Sequence, residues 1–245
     1  MKRFATLLKT ELKLTLRSID MVLFAVLMPV VVLAVVGLIF GNDGSSGMID
    51  QTFGAFLAIG VCAVGLMGLP LALAEYRHRK VLKRLQVTPV HPGVLLGVHL
   101  ATQAIVAVAS AILVAIAARL IFGLQLGGSI LNVSAAFLLV LVAIFSLGLM
   151  IASSARDVQR AGMIASIVYF PMLIFSGTTI PFPVFPEAVR QVATILPLRH
   201  GIQLINGVAQ GERFGSYLPE IGILLACAVV GIAISIRTFR WDMES

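Results

Sequence analysis

VSAAFLLVLVAIFSLGLMIASSA, residues 133–155, carries no charged side chain over a length that can cross a bilayer. A span needs about 20 apolar residues to cover about 30 Å of hydrocarbon at about 1.5 Å per residue. Five more stretches of this kind lie at 21–40, 53–74, 94–118, 161–180 and 218–236, and the charges fall almost wholly between them. Across the 245 residues, 59 % are hydrophobic and 12 % charged, with a mean hydropathy of +1.04. Soluble chains are roughly half apolar and a quarter charged, and no water-soluble core could bury this excess. The expected fold is therefore all-α: a polytopic membrane protein of six transmembrane helices in a single domain, residues 1–245.

Lys and Arg favour the cytoplasmic side of short loops. With an even number of spans both termini share one side, and placing them inside puts every lysine and all but four of the arginines in the cytoplasm. Only Arg119, Arg190, Arg199 and Arg213 fall outside. The net charge of +7 then reflects topology and contact with anionic lipid rather than nucleic-acid binding. The expected location is a cytoplasmic (inner) membrane, multi-pass, with both termini cytoplasmic. Residues 1–20 carry basic side chains throughout and precede a full-length span, unlike a cleaved signal sequence. Cys62 and Cys227 lie mid-span and far apart, so neither a disulfide nor a metal site is expected.

Wound as a helix, residues 2–19 place Lys9, Lys13 and Arg17 on one stripe. Phe4, Leu7, Leu8, Leu12, Leu16 and Ile19 cover the other face. This is an interfacial helix, 1–20, lying on the inner leaflet. Glu11 falls within its apolar arc, where a solitary carboxylate is costly to desolvate. Either it finds a partner, or it faces water.

The inner connection, 75–93, is the most charged part of the chain. Val81, Leu82 and Leu85 form an apolar patch at helical spacing, and Arg77, Lys80, Lys83 and Arg84 offer charge to an acidic partner. Two readings fit: a short helix seated in a groove of another protein, or a lipid-facing basic loop that obeys the positive-inside rule.

After the fifth stretch, Ser176-Gly177-Thr178-Thr179-Ile180-Pro181-Phe182-Pro183 breaks the helix, because each proline removes a backbone donor and restrains the residue before it. Beyond Pro186, Val189, Val192, Ala193 and Leu196 recur at helical spacing; beyond Pro197, Ile202, Ile205 and Val208 do. The spacing predicts two short helices joined at Pro197, too short to span and too apolar for water. An outer re-entrant hairpin, 181–211, results. Non-helical backbone at that depth is tolerated only when buried or lining a wet cavity, so Ser176, Gly177, Pro181, Pro186 and Pro197 border a pathway or its outer gate, or else form a structural plug.

The chain has no G-x-x-x-x-G-K-[ST] phosphate loop, no H-E-x-x-H and no G-x-S-x-G. No catalytic residue is expected, and any ATP used would be hydrolysed by another chain. Ionisable groups in mid-membrane, the mark of ion-coupled carriers, are essentially missing from the stretches. His99 and Gln103, one turn apart, share a face and fit either substrate contact or hydrogen bonding between helices. His78, His91 and His200 lie in connections and suggest no role.

Taken together, the chain resembles the membrane subunit of a type-2 ATP-binding-cassette (ABC) exporter. Glu11 and Arg17 before the first stretch, with Pro29 in it, are similar to that family's opening. Leu82-Lys83-Arg84-Leu85-Gln86-Val87-Thr88-Pro89-Val90 is similar to its cytoplasmic L-x-x-L-x-x-T-P segment. Phe175-Ser176-Gly177, then Pro181, Pro186 and Leu196-Pro197-Leu198, match its F-S-G, P and L-P signature. Lys80 and Val81 stand where many relatives carry Gly-Thr. The resemblance implies a dimer of six-span subunits above two cytoplasmic ATPases that bind ATP and Mg, with no cofactor in this chain. It assigns ATPase coupling to the segment that includes Glu75, Arg77, Lys80 to Leu85, Thr88 and Pro89. Its expected cargo is an amphipathic small molecule such as a drug, antibiotic or lipid-like compound, because one Trp and three Tyr make poor stacking platforms for a glycan. An ATPase-independent carrier or channel, or a non-transporting scaffold, are the rival readings.

Overall fold

A computed structural model describes residues 2–18, 23–40, 46–78, 92–155, 157–177 and 186–238. Every regular element among them is helical. Helix α1 is Lys2–Arg17. Helix α2 begins with a π-helical stretch, Leu23–Leu27, and continues as Met28–Phe40. Helix α3 joins Ser46–Cys62, a second π-helical stretch Ala63–Gly68, and Leu69–His78. Then come α4 (Pro92–Phe122), α5 (Ile130–Ser154), α6 (Val158–Phe175), α7 (Glu187–Ala193), α8 (Pro197–Ala209), a 3-10 turn Phe214–Tyr217 and α9 (Leu218–Thr238).

Five helices are long and apolar enough to cross a membrane: Thr52–His78, Gly93–Phe122, Ile130–Ser154, Val158–Phe175 and Phe214–Thr238. Leu23–Leu38 is a shorter apolar helix, so among the described residues five stretches rather than six meet the length. The stretch expected to end at 180 stops as a helix at Phe175. Ser176 closes its last turn by donating its amide to the Met172 carbonyl, and Gly177 follows at φ +87°. Asp157 starts the same helix, its carboxylate accepting from the Arg160 amide at 2.7 Å.

In lipid there is little apolar gain from bringing helices together, so packing fit and interhelical hydrogen bonds hold a bundle. The α5 and α9 pair shows both. Gly231 of α9 rides against Ser146 of α5, the Ser146 hydroxyl lies 3.3 Å from the Cys227 carbonyl, and Ser235 donates to the Leu149 carbonyl at 3.4 Å. Such bonds contribute about 0.6–2 kcal/mol each. Span α3 is the most enclosed of the five, wrapped by α2, α4, α5 and α8. Phe53, Phe56, Leu66 and Leu69 from it meet Ile144, Leu204 and Ile205 in one continuous core.

Candidate coupling site and outer hairpin

Glu11 has its partners. At the end of the bundle that carries α1, Tyr76 of α3 donates its hydroxyl to Glu11 Oε1, and His99 Nδ1 of α4 lies 3.0 Å from the same oxygen. The two rings meet edge to face, their centroids 5.6 Å apart. Behind them Gln103 Nε2 lies 3.2 Å from His99 Nε2. With Nδ1 donating to the carboxylate, Nε2 is left as the acceptor for the Gln103 amide, so a single tautomer satisfies both bonds. His99 and Gln103 are 2 % and 1 % exposed. Burial on its own raises the Glu11 carboxyl, yet the hydrogen bonds from His99 and Tyr76 more than offset it and hold the group below its ordinary value.

One residue beyond Tyr76, the Arg77 side chain crosses to α5, where Nη1 donates to the Ala155 carbonyl at 3.2 Å. Ala74, Ala155 and Ala161 pack together beside it. Small side chains there let the ends of α3, α5 and α6 close up. Glu75 lies in the same last turns of α3, half-buried. Lys80, Val81, Leu82, Lys83, Arg84, Leu85, Thr88 and Pro89 lie outside the described residues, as does Pro181.

At the opposite end, α8 lies against α3, α5 and α9. The expected face of Ile202, Ile205 and Val208 is buried, and Leu198, one turn before Ile202, and Leu204, beside Val208, widen it, while Gln203 on the other side is exposed. Pro197 occupies its first turn, where a missing N–H costs nothing. Pro186, exposed, starts α7, its carbonyl accepting from the Arg190 amide at 3.1 Å. Burial, and then the neighbouring Arg190 guanidinium, lower Arg199 from its ordinary value, so two like charges share the rim of this hairpin.

Sequence reasoning missed three contacts here. Asn206 Oδ1 accepts the Gly54 amide at 2.6 Å, tying α8 to the top of α3; an Asn amid apolar residues was its signal. The Gly128 amide donates to the Ala209 carbonyl at 3.1 Å, which fixes the connection between α4 and α5 to the end of α8. Tyr76 gave no signal, since one aromatic residue near a basic loop fits many roles.

Gly177 can be tested directly. A β-branched residue is strained at φ +87°, at a cost of about 1–2 kcal/mol. The Gly177→Val protein is expected to fold with its thermal midpoint lowered by a few degrees. An unchanged midpoint would show that the turn does not hold the left-handed conformation at Gly177.

The sequence model of the ABC-2 type transporter family matches residues 2–208, from α1 into the last turn of α8. Nodulation protein J of Rhizobium leguminosarum bv. viciae is 35 % identical over 75 residues, 31 % of this chain and 29 % of that protein. Nodulation protein J of Rhizobium meliloti (strain 1021) aligns with the same identity and coverage. The alignment thus spans less than a third of either relative. No solved structure matches the chain.

Proposed function

This chain belongs to the ABC-2 type transporter family and is the membrane subunit of an ABC transporter, and from that premise we propose that it exports an amphipathic small molecule using ATP hydrolysed on a separate subunit. The observation that carries the reading is the reach of the family match, which takes in α1, the polar joint at Glu11 and most of the outer hairpin. ATP and Mg belong to the partner ATPase. Segment 79–91, with Leu82 and Leu85 at its centre, docks in a groove of that ATPase, and Glu75 and Arg77 end the helix that leads into it. A second permease subunit completes the pathway. His99 and Gln103 serve the joint around Glu11 rather than the cargo, because the two His99 ring nitrogens and the Gln103 Nε2 are turned to α1 or to one another. Ser176, Gly177 and the prolines 181, 186 and 197 shape the outer gate.

The scarcity of Trp and Tyr supports a drug-like or lipid-like cargo. The relatives' name speaks of nodulation, and with so little of their length aligned their cargo stays theirs. Six spans are proposed, with Leu23–Leu38 as the first: at about 1.5 Å per residue it covers about 24 Å, within reach of a bilayer that thins locally.

Purifying the tagged chain in mild detergent from its native host, and identifying what accompanies it by mass spectrometry, tests the function. A stoichiometric soluble ATPase is the expected companion. Recovery of this chain alone, moving solute into liposomes without ATP, would replace the reading with an autonomous carrier or channel. The proposed inner-membrane topology has its own check: cysteines at Glu187 and Gly211 are expected to react with an impermeant thiol reagent from the outside of intact cells, and labelling only in inverted vesicles would reverse the orientation.

A further inference from the structure

Both stems of the connection between α3 and α4 are tied to one carboxylate that belongs to neither. Tyr76 sits two residues before the end of α3 at His78; His99 sits about two turns into α4, which starts at Pro92. Each donates to Glu11 Oε1. Glu11 rides on α1, which packs along α4 and whose Leu12 reaches the common core. A carboxylate held by two donors from two helices fixes their spacing and register together, since a shift of either stem breaks a charge-assisted bond in a largely dry setting. Gln103 behind His99 keeps the imidazole turned toward α1.

We propose that Glu11 is a positioning residue that staples the two stems, so that the last turn of α3 and the first turns of α4 move as one body with α1. The geometry stands by itself; its consequence for ATP-driven work rests on the transporter reading above. A partner pushing on either stem would then shift three helices at once.

Spin labels at His78→Cys and Gly93→Cys, in the full chain with Cys62 and Cys227 replaced by Ala, report the distance between the stems by pulsed electron resonance. A second pair at Leu120→Cys and Ile130→Cys, both exposed at the far end, serves as the control. The E11L protein is expected to widen the stem distribution at least twofold and leave the control pair unchanged. E11Q, which keeps one acceptor oxygen, should stay within about 1.3-fold of the parent. Y76F removes one donor only and should widen the stems by an intermediate amount, so a poorly folding E11L does not decide the matter. Unchanged stem widths in Y76F, or equal widening at both pairs, overturn the staple. The ATPase rate of the co-purified complex is expected to fall at least threefold in E11L and less than twofold in E11Q. A doubled stem width with an unchanged rate overturns the transmission step while the transporter reading stands. Absence of any co-purifying ATPase overturns that reading while the label distances still judge the staple.

Discussion

Asp at both Leu82 and Leu85 is expected to reduce ATP-driven transport at least tenfold while the protein still inserts in the membrane and purifies folded. Neither residue belongs to the apolar stretches, so insertion does not depend on them. Each Leu seated in a groove contributes about 1.5–3 kcal/mol of apolar burial, and a carboxylate placed there adds a desolvation penalty of a few kcal/mol. A loss of 1.4 kcal/mol is already tenfold in affinity, so two substitutions should release the partner or leave it idling. The readouts are the ratio of ATPase to permease after purification and the ATP-dependent uptake of a fluorescent amphipathic amine by inverted vesicles. Basic neighbours make the competing outcome distinct. If the segment only rests on lipid, neutralising Lys80, Lys83 and Arg84 would weaken membrane contact, and the two Asp substitutions would leave the ATPase ratio untouched. Unchanged stoichiometry and uptake in the double variant would sink the coupling assignment.

The helices were legible because an uninterrupted apolar run of about 20 residues fits a bilayer as a helix, with all backbone groups bonded inside the segment. Their ends were less so: α3 starts at Ser46 rather than near 53 and runs to His78, since polar residues extend a helix past the hydrocarbon without changing the apolar count. Glu11 was legible as a residue in need of a partner, and His99 with Gln103 as a shared face. Their convergence was not, because it depends on α1 folding back across α4, and no periodicity within one helix reports which neighbour it meets. For α8 the spacing of Ile202, Ile205 and Val208 revealed one buried face. Leu198 and Leu204, also buried, widen that same face, and how far it extends depends on the neighbours α8 meets rather than on its own spacing. Glycine pairs are silent for a similar reason: Gly is frequent in membrane helices, and its sequence position names no partner.

Gly148→Leu is expected to destabilise the bundle severely. Gly148 of α5 faces Gly65 in the π-helical stretch of α3, and a Cβ built on Gly148 would run into the Gly65 carbonyl, with the carbonyl carbon itself 3.0 Å away. Backbone meets backbone there, so no side chain can swing aside. The Gly65 carbonyl, within the π-helical stretch Ala63–Gly68, is packed against the facing helix. The leucine must push α3 and α5 apart at the centre of the most enclosed span, undoing contacts of Leu66, Leu69 and Ile144 with their neighbours. Overpacking costs typically about 1–3 kcal/mol, occasionally more, and a backbone contact belongs at or above the top of that range. We expect most of the Gly148→Leu protein to elute as aggregate in mild detergent, and Gly148→Ala to fold with a clearly lowered thermal midpoint. Gly222→Ala supplies the contrast: nothing lies within 4 Å of a Cβ at that α9 position, and alanine should be neutral or stabilising by about 0.5–1 kcal/mol through helix propensity. If Gly148→Leu and Gly222→Ala proved equally stable, α3 and α5 could not approach at these glycines, and the enclosure of α3 at the heart of the bundle would be wrong.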